Sequence, residues 1–154
     1  RDVERSRGLG DVYKRQALKL LKENGGVIGL SPWGPLCWKP ETGKRPTMDD
    51  YLDHVDYVVN LIGIDHVGFG GDSTLDDNED RSGIVEQATL YAPVVEEYNQ
   101  KVGVDPDVRH AIGVRGSWEI NNVIEAMRGR GYSDEDIKKL TGGNFLRVLK
   151  ANWK

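Results

Sequence analysis

Two short apolar runs, separated by one helical pattern, constrain the fold of this chain more than any other feature of its sequence. The runs are residues 27–30 (Val-Ile-Gly-Leu) and 67–70 (Val-Gly-Phe-Gly). Apolar runs of this length without polar alternation are typical of strands buried on both faces of a parallel sheet. Between them, Thr47 and Asp50 resemble a capping box, and apolar residues recur at helical spacing until the chain reaches Gly63. The order strand, helix, strand predicts a parallel βαβ unit.

The remaining segments predict helices and loops. A short helix from Ala17 ends at residues 24–26 (Asn-Gly-Gly), and a long loop containing four prolines covers residues 31–46. After the second strand, the pattern predicts an acidic loop over 72–82, a helix over 84–100, an irregular segment over 101–116 and a helix over 118–130. Ser133 opens a further helix with Ile137 and Leu140 facing inward. Asn144 is predicted to cap the last helix, which carries Phe145, Leu146, Leu149 and Trp153.

Two strands cannot close a barrel, and they are too few for a small doubly wound domain of this length. An eight-stranded α/β barrel takes about 250 residues, so 154 residues fit the last part of one together with its terminal helices. The predicted fold class is therefore α/β, as the C-terminal portion of a (β/α)8, TIM-like barrel.

The composition limits the kinds of partner that this chain can bind. Lys and Arg number 21 and Asp and Glu number 25, which gives a net charge of −4 and no basic footprint for nucleic acid or an anionic membrane. The single cysteine, Cys37, excludes an internal disulfide and a cysteine-based zinc site. No window approaches the roughly 20 apolar residues of a membrane span. We expect a soluble chain. Its composition does not determine the cellular compartment, and the cytoplasm is slightly favoured.

Residues 1–16 differ from the rest of the chain, because they carry scattered basic residues and no apolar stripe. Their end, residues 11–16 (Asp-Val-Tyr-Lys-Arg-Gln), resembles the translation of a transposon-type sequencing adapter. We therefore expect residues 1–16 to be a non-native tail without essential packing contacts, the alternative being a native basic arm. Residues 17–154 then form the domain, and the gene is expected to continue upstream of Ala17.

Asp72 is the candidate site residue of the second strand. It follows that strand, and ligands of parallel α/β sheets bind at the carboxyl ends of the strands. The glycines at positions 68, 70 and 71 allow close approach of the backbone and leave the carboxylate without bulky neighbours. The alternative is an Asp72 that only caps the next turn. His66 precedes the same strand, so we expect it to have a structural role at the opposite end of the sheet.

Other candidate motifs are incomplete. Residues 68–73 lack the third glycine of a dinucleotide-binding loop. Asp76, Asn78 and Asp80 have EF-hand spacing but lack the glycine and the glutamate that complete a calcium loop, so a solvated acidic loop is favoured. His54 is expected to be solvated, His110 lies in irregular chain, and Cys37 has no histidine near it in the sequence. With no zinc-binding His-Glu-x-x-His and no nucleophile elbow, the residues alone form no complete catalytic constellation.

Three blocks of sequence together resemble a known family. They are Glu23-Asn-Gly-Gly-Val-Ile-Gly29, then His66-Val-Gly-Phe-Gly-Gly-Asp72, and then Arg130-Gly-Tyr-Ser-Asp-Glu-Asp-Ile137 followed by Gly142-Gly-Asn-Phe-Leu-Arg-Val-Leu149. In this order and spacing they resemble the C-terminal part of the membrane (renal) dipeptidases, peptidase family M19. The resemblance covers essentially all of residues 17–154.

The resemblance implies a metal-dependent hydrolase barrel in which two zinc ions activate a water that attacks the peptide carbonyl of a dipeptide. The zinc ligands of the family precede this segment, so the resemblance implies no metal ligand and no catalytic residue in the chain itself. It does imply that Asp72 contacts the substrate, at its free amino group. The family commonly has Asp-Phe-Asp-Gly where this chain has Asp72-Ser-Thr-Leu-Asp76, which puts the substrate preference in doubt. The loop over 31–46, with Trp33 and Trp38, is expected to line the same mouth.

Two function classes follow from this reasoning. The first is the C-terminal part of a zinc-dependent dipeptidase, active at full length and inactive as the 154-residue chain alone, which is expected to hold no tight zinc and to expose apolar surface. The second is a non-catalytic α/β module that binds a small zwitterionic or cationic ligand. The expected partner is a dipeptide or similar small molecule, with no nucleic acid and no membrane span. A homo-oligomer of the full-length protein fits either class.

Overall fold

A computed structural model of the chain describes residues 14–72 and 92–153. Most of the predicted tail, the acidic loop with Asp76, Asn78 and Asp80, and the first part of the helix predicted over 84–100 lie outside the described residues. No helix in the described part of the chain is long and apolar enough to cross a membrane.

Seven helices and two strands make up the described ranges. The strands are β1 (Ile28–Leu30) and β2 (Val67–Phe69). The helices are α1 (14–23), α2 (Gly34–Cys37), α3 (Met48–Ile62), α4 (Ala92–Lys101), α5 (Ile120–Gly129), α6 (Asp134–Lys138) and α7 (Asn144–Asn152). Short 3-10 turns cover Ile64–His66, Pro106–Val108 and Ser117–Glu119, and a π turn covers Lys139–Gly143.

The two strands pair in parallel, as the sequence predicts. Ile28 lies opposite Val67 and Leu30 opposite Phe69, and the amide of Gly70 continues the ladder to the carbonyl of Leu30 at 3.0 Å. Helix α3 connects the strands, so the described chain contains the expected βαβ unit. The expectation of strands buried on both faces is wrong for β1, because Gly29 is exposed.

The local signals of α3 act as predicted. The hydroxyl of Thr47 accepts from the amide of Asp50 at 3.3 Å, and the carboxylate of Asp50 accepts from the amide of Thr47 at 2.8 Å. This reciprocal pair satisfies two amides of the first turn. At the other end the chain leaves the helix at Gly63 with φ of 90°, a conformation that glycine adopts without steric cost.

The core lies between α3, the sheet and the helices that follow residue 120. Buried apolar side chains from these elements form one cluster, which includes Leu30, Tyr51, Leu52, Val55, Ile62, Val67, Val123, Met127, Ile137 and Leu140. Ile137 and Leu140 therefore face inward as predicted. The hydroxyl of Tyr51 donates to the carbonyl of Leu30 at 3.2 Å and joins α3 to β1. Gly68 is needed in β2, since a Cβ there would lie 2.3 Å from the ring of Phe145.

Four expectations need correction. Helix α1 extends back to residue 14, so 14–16 belong to a helix, and Arg15 donates to the hydroxyl of Tyr57 at 3.0 Å. The loop over 31–46 contains the short helix α2. The helix predicted over 118–130 starts with a 3-10 turn. Asn144 does not cap α7 with its side chain, because it is buried and bonds the sheet.

Candidate active-site edge

The carboxyl ends of β1 and β2 meet at one edge of the sheet and bring Ser31 and Asp72 together. Ser31 directly follows β1, and Asp72 follows β2 after two glycines. Because the strands are parallel, residues that follow them emerge at the same edge. The hydroxyl of Ser31 lies 3.5 Å from Oδ2 of Asp72, a long hydrogen bond between exposed groups. Together with His110, which contacts the main chain of Asp72, these two residues are called the strand-end cluster.

Asp72 has an unusual backbone conformation. Its φ is 49°, and no other non-glycine residue in the described ranges has a positive φ. Aspartate tolerates this left-handed region better than most residues, yet it adopts it only where contacts hold it there. The side chain at this turn is exposed, so its carboxylate is open to a ligand.

Gly70 lets the two strands approach closely just before this turn. A Cβ on Gly70 would lie 3.1 Å from the backbone carbon of Gly29. The predicted use of glycine at position 70 is thus supported by the close approach of β1.

His110 completes the strand-end cluster from 38 residues further along the chain. Its Nε2 lies 3.2 Å from the backbone carbonyl oxygen of Asp72. A carbonyl oxygen only accepts, so Nε2 carries the proton in this contact. Burial lowers the pKa of His110 below its ordinary value, and the opposing effects are the bond to Asp72 and its charge. The imidazole is therefore neutral near neutral pH.

The backbone around His110 is fastened to the loop that follows β1. His110 forms an antiparallel bridge with Trp33, the amide of Gly34 donates to the carbonyl of Arg109 at 2.6 Å, and the amide of Ala111 donates to the carbonyl of Pro32 at 2.9 Å. The backbone of Trp33 is therefore joined to the segment that carries His110.

Trp38 packs elsewhere, against helix α4. Its ring meets that of Tyr98 edge to face at 5.5 Å between centroids, and the ammonium of Lys101 lies 5.6 Å from its ring centroid. The hydroxyl of Tyr98 in turn donates to the carbonyl of Val108 at 2.6 Å. This contact fixes the segment that carries His110 against α4.

The other sequence candidates lie outside the strand-end cluster. His66 is at the opposite end of the sheet, where Nδ1 bonds the carbonyl of Gly26 at 2.8 Å, which confirms its structural role. His54 on α3 is half-buried, not solvated as predicted, and burial lowers its pKa. Cys37 is buried, and burial together with the nearby charge of Asp50 raises its pKa to about 12. A thiol in this state stays protonated and is a poor nucleophile.

In residues 14–72 and 92–153, no three His, Cys, Asp or Glu side chains come together in a way that could hold a metal ion. These residues therefore contain no ligand set for the zinc ions that the resemblance implies. What the strand-end cluster offers is an exposed carboxylate beside a neutral imidazole and a hydroxyl, a combination suited to binding a cationic group.

Sequence reasoning found Asp72 but missed its partners. Ser31 could have been found, since it directly follows the first predicted strand. His110 carried no signal, because nothing in its irregular neighbourhood indicates a contact with Asp72.

Comparison with known proteins adds an independent finding. The family model of membrane dipeptidase (peptidase family M19) matches residues 13–114. The dipeptidase tcpJ of Claviceps purpurea is 30% identical over 138 residues, which are 86% of this chain and 24% of that protein. The dipeptidase aclJ of Aspergillus oryzae is 30% identical over 132 residues, again 86% of this chain and 24% of the relative. This chain thus spans about a quarter of the length of both fungal proteins.

A solved structure is similar as well. The crystal structure of an amidohydrolase from Pseudomonas aeruginosa matches this chain with a TM-score of 0.63 and 25% sequence identity. The match covers 90% of this chain and 40% of that one.

Proposed function

The chain belongs to the membrane dipeptidase family, peptidase family M19, and from this premise we propose that residues 17–154 are the C-terminal part of a (β/α)8 hydrolase barrel that cleaves dipeptides. The parallel βαβ unit and the similarity to the amidohydrolase structure support the barrel. The chain spans only 24% of each of the two fungal dipeptidases, which supports a longer intact protein. Residues 1–13 are proposed to be no part of that barrel, whereas residues 14–16 belong to helix α1 and are proposed to be part of it.

The observation that carries the proposal is the exposed carboxylate of Asp72 at the carboxyl end of the parallel pair. A dipeptide has a free ammonium group, and a carboxylate is its natural partner because a charge-assisted hydrogen bond is about twice as strong as a neutral one. We assign Asp72 to this ammonium group. The Ser31 hydroxyl, 3.5 Å from Oδ2, orients the carboxylate toward it.

The described residues do not supply the metal part of the chemistry. Bound zinc ions would provide a nucleophilic water and polarise the peptide carbonyl. We propose that their ligands come from the intact protein before Ala17, as the family resemblance implies. Within this chain, Asp72 binds the substrate and Ser31 orients its carboxylate.

The substitution Asp72→Asn in the intact enzyme tests this assignment. Loss of one charge-assisted bond to the substrate is expected to lower kcat/KM for a dipeptide with a free amino terminus by about 10- to 150-fold. The same dipeptide with an acetylated amino terminus lacks the ammonium, so its turnover is expected to change little. Zinc content, measured by metal analysis, is expected to stay the same.

Asp134→Asn is the matched control, because Asp134 is an exposed aspartate on α6 that pairs with Arg128 at 3.0 Å. It makes the same chemical change away from the strand-end cluster, and both substrates are expected to be cleaved normally. If Asp72→Asn slowed free and acetylated substrates equally, or removed the metal, the assignment to the ammonium group would be wrong.

A further inference from the structure

We infer that His110 is a positioning residue, which holds the main chain of Asp72 in its left-handed turn and thereby aims the carboxylate at the substrate. The contact that carries this inference joins Nε2 of His110 and the backbone carbonyl oxygen of Asp72 at 3.2 Å. The consequence for substrate binding rests on the proposed function of Asp72. The consequence for the conformation of Asp72 does not.

The conformation of Asp72 needs such support. A φ of 49° is unfavourable for a residue with a Cβ, and it persists where neighbouring contacts determine it. Among the described residues, the hydrogen bond to the side chain of Asp72 is the long one from Ser31, at 3.5 Å. On the main-chain end it is the shorter bond from His110, so the imidazole is the better placed of the two to fix the turn.

His110 can act as a fixed support because its own main chain is held on both sides. The bridge to Trp33 and the flanking amide bonds fasten it to the loop after β1. From another direction, Nε of Arg45 donates to the carbonyl of His110 at 2.8 Å. The imidazole thus extends from a braced segment toward the end of β2.

The charge state of the imidazole fits this role. The charged groups that act on the imidazole are Asp72, Arg109 and Arg45. Burial lowers the pKa of His110 more than the bond to Asp72 and its negative charge raise it. A neutral imidazole donates Nε2–H to the carbonyl without placing a positive charge beside the site for a substrate ammonium. An aliphatic replacement of His110, such as leucine, would keep much of its bulk but lose this donor.

The kinetic test uses His110→Leu and His110→Gln in the intact enzyme. Leu cannot donate, so KM for the free-amine dipeptide is expected to rise about 3- to 10-fold, the range for one lost hydrogen bond. The kcat and the turnover of the acetylated dipeptide are expected to change little. Gln carries an amide N–H₂ that reaches the position of Nε2, so it is expected to restore most of the KM.

His54→Leu is the control, since His54 is also a half-buried histidine with a lowered pKa but lies on α3. It is expected to leave the KM for both substrates unchanged. An equal effect of His54→Leu and His110→Leu would overturn the inference, because the loss would then reflect a general loss of packing.

A crystal structure of the His110→Leu enzyme separates this inference from the proposed function. The expected result is an Asp72 that has left the positive-φ region. An Asp72 that keeps its turn, with an unchanged KM, would overturn the inference even if Asp72→Asn discriminates free from acetylated substrate. If Asp72→Asn does not discriminate them, the proposed function fails, and the φ of Asp72 in His110→Leu alone decides the positioning role.

Discussion

The amide side chain of Asn144 joins the last helix to the sheet. Its Nδ2 donates to the carbonyls of Ile64 at 2.7 Å and Val67 at 2.8 Å, and the residue is 3% exposed. The Val67 carbonyl is buried and the Ile64 carbonyl is partly buried, so the amide of Asn144 supplies hydrogen bonds that solvent does not readily supply at these positions. This is a structural use of a residue whose sequence position suggested a helix cap.

Asn144→Ala is expected to lower the free energy of unfolding by about 2–3 kcal/mol, because one buried and one partly buried carbonyl lose their donor. Urea unfolding followed by circular dichroism measures the change. Asn152→Ala is the control, since Asn152 on the same helix is exposed and donates to the carbonyl of Val148. Equal losses for the two variants would contradict the role given to Asn144.

At the scale of elements, an acidic face of α3 is joined to the segment after α5 by one arginine. Nη1 of Arg130 bonds Asp53 at 2.8 Å and Asp56 at 2.7 Å, and Nη2 bonds Asp49 at 3.1 Å. The hydroxyl of Tyr132 adds a very short bond to Asp56. The block Arg130-Gly-Tyr132, part of the family resemblance, therefore serves packing between helices.

This face responds to pH in a defined direction. The ammonium of Lys39 and then the guanidinium of Arg130 hold the pKa of Asp53 below its ordinary value. A carboxyl with a lowered pKa in the folded state stabilises the fold above its unfolded pKa of about 4. That contribution is lost as the pH falls through the lower folded-state pKa.

Arg130→Gln is expected to lower the free energy of unfolding by about 1–2 kcal/mol near neutral pH, a value reduced for the partial exposure of the pairs. Near about pH 3 the difference from the wild type is expected to shrink, because the aspartates become protonated. Urea unfolding near neutral pH and near about pH 3 measures the difference in unfolding free energy between the variant and the wild type.

Arg128→Gln is the control. It removes only exposed pairs with Glu125 and Asp134 and is expected to have little effect on the free energy of unfolding. A penalty that persists undiminished in acid would contradict the electrostatic account.

At the scale of the whole molecule, the last helix leaves an apolar stripe uncovered. Leu146 is 56% exposed and Leu149 45%, and their spacing places them on one side of α7. Trp153, predicted to lie in this helix, directly follows it in an extended conformation and is 78% exposed. Among the described residues β1 pairs only with β2, so its other edge is also open. Uncovered apolar faces and open strand edges promote association between chains.

We expect the 154-residue chain to self-associate with rising concentration. The combined substitution Leu146→Lys, Leu149→Glu and Trp153→Ser is expected to reduce this association without changing the net charge, as measured by sedimentation velocity. A control carries Val104→Lys and Ile112→Glu, which remove exposed apolar residues from another part of the surface. A wild-type chain that stays monomeric at its highest soluble concentration would refute the expectation.

The sequence by itself determined the features that depend on neighbours along the chain. The capping box at Thr47, the stop of α3 at Gly63 and the two parallel strands follow from local hydrogen bonding and from the period of apolar residues. Strand order and polarity also placed Asp72 at the carboxyl edge of the strand pair.

Only the tertiary structure decided which distant residues meet. His110 reaches Asp72 across 38 residues, Arg130 reaches Asp49 across 81, and Asn144 reaches Val67 across 77. Local periodicity carries no information about such pairs, because they depend on the path of the whole chain. They depend also on burial, since a buried polar group bonds whichever polar partner the fold brings near it. The same reason explains why Asn144 does not act as the predicted cap: its cap signal is local, whereas its side chain binds the carbonyls of Ile64 and Val67 in a distant segment.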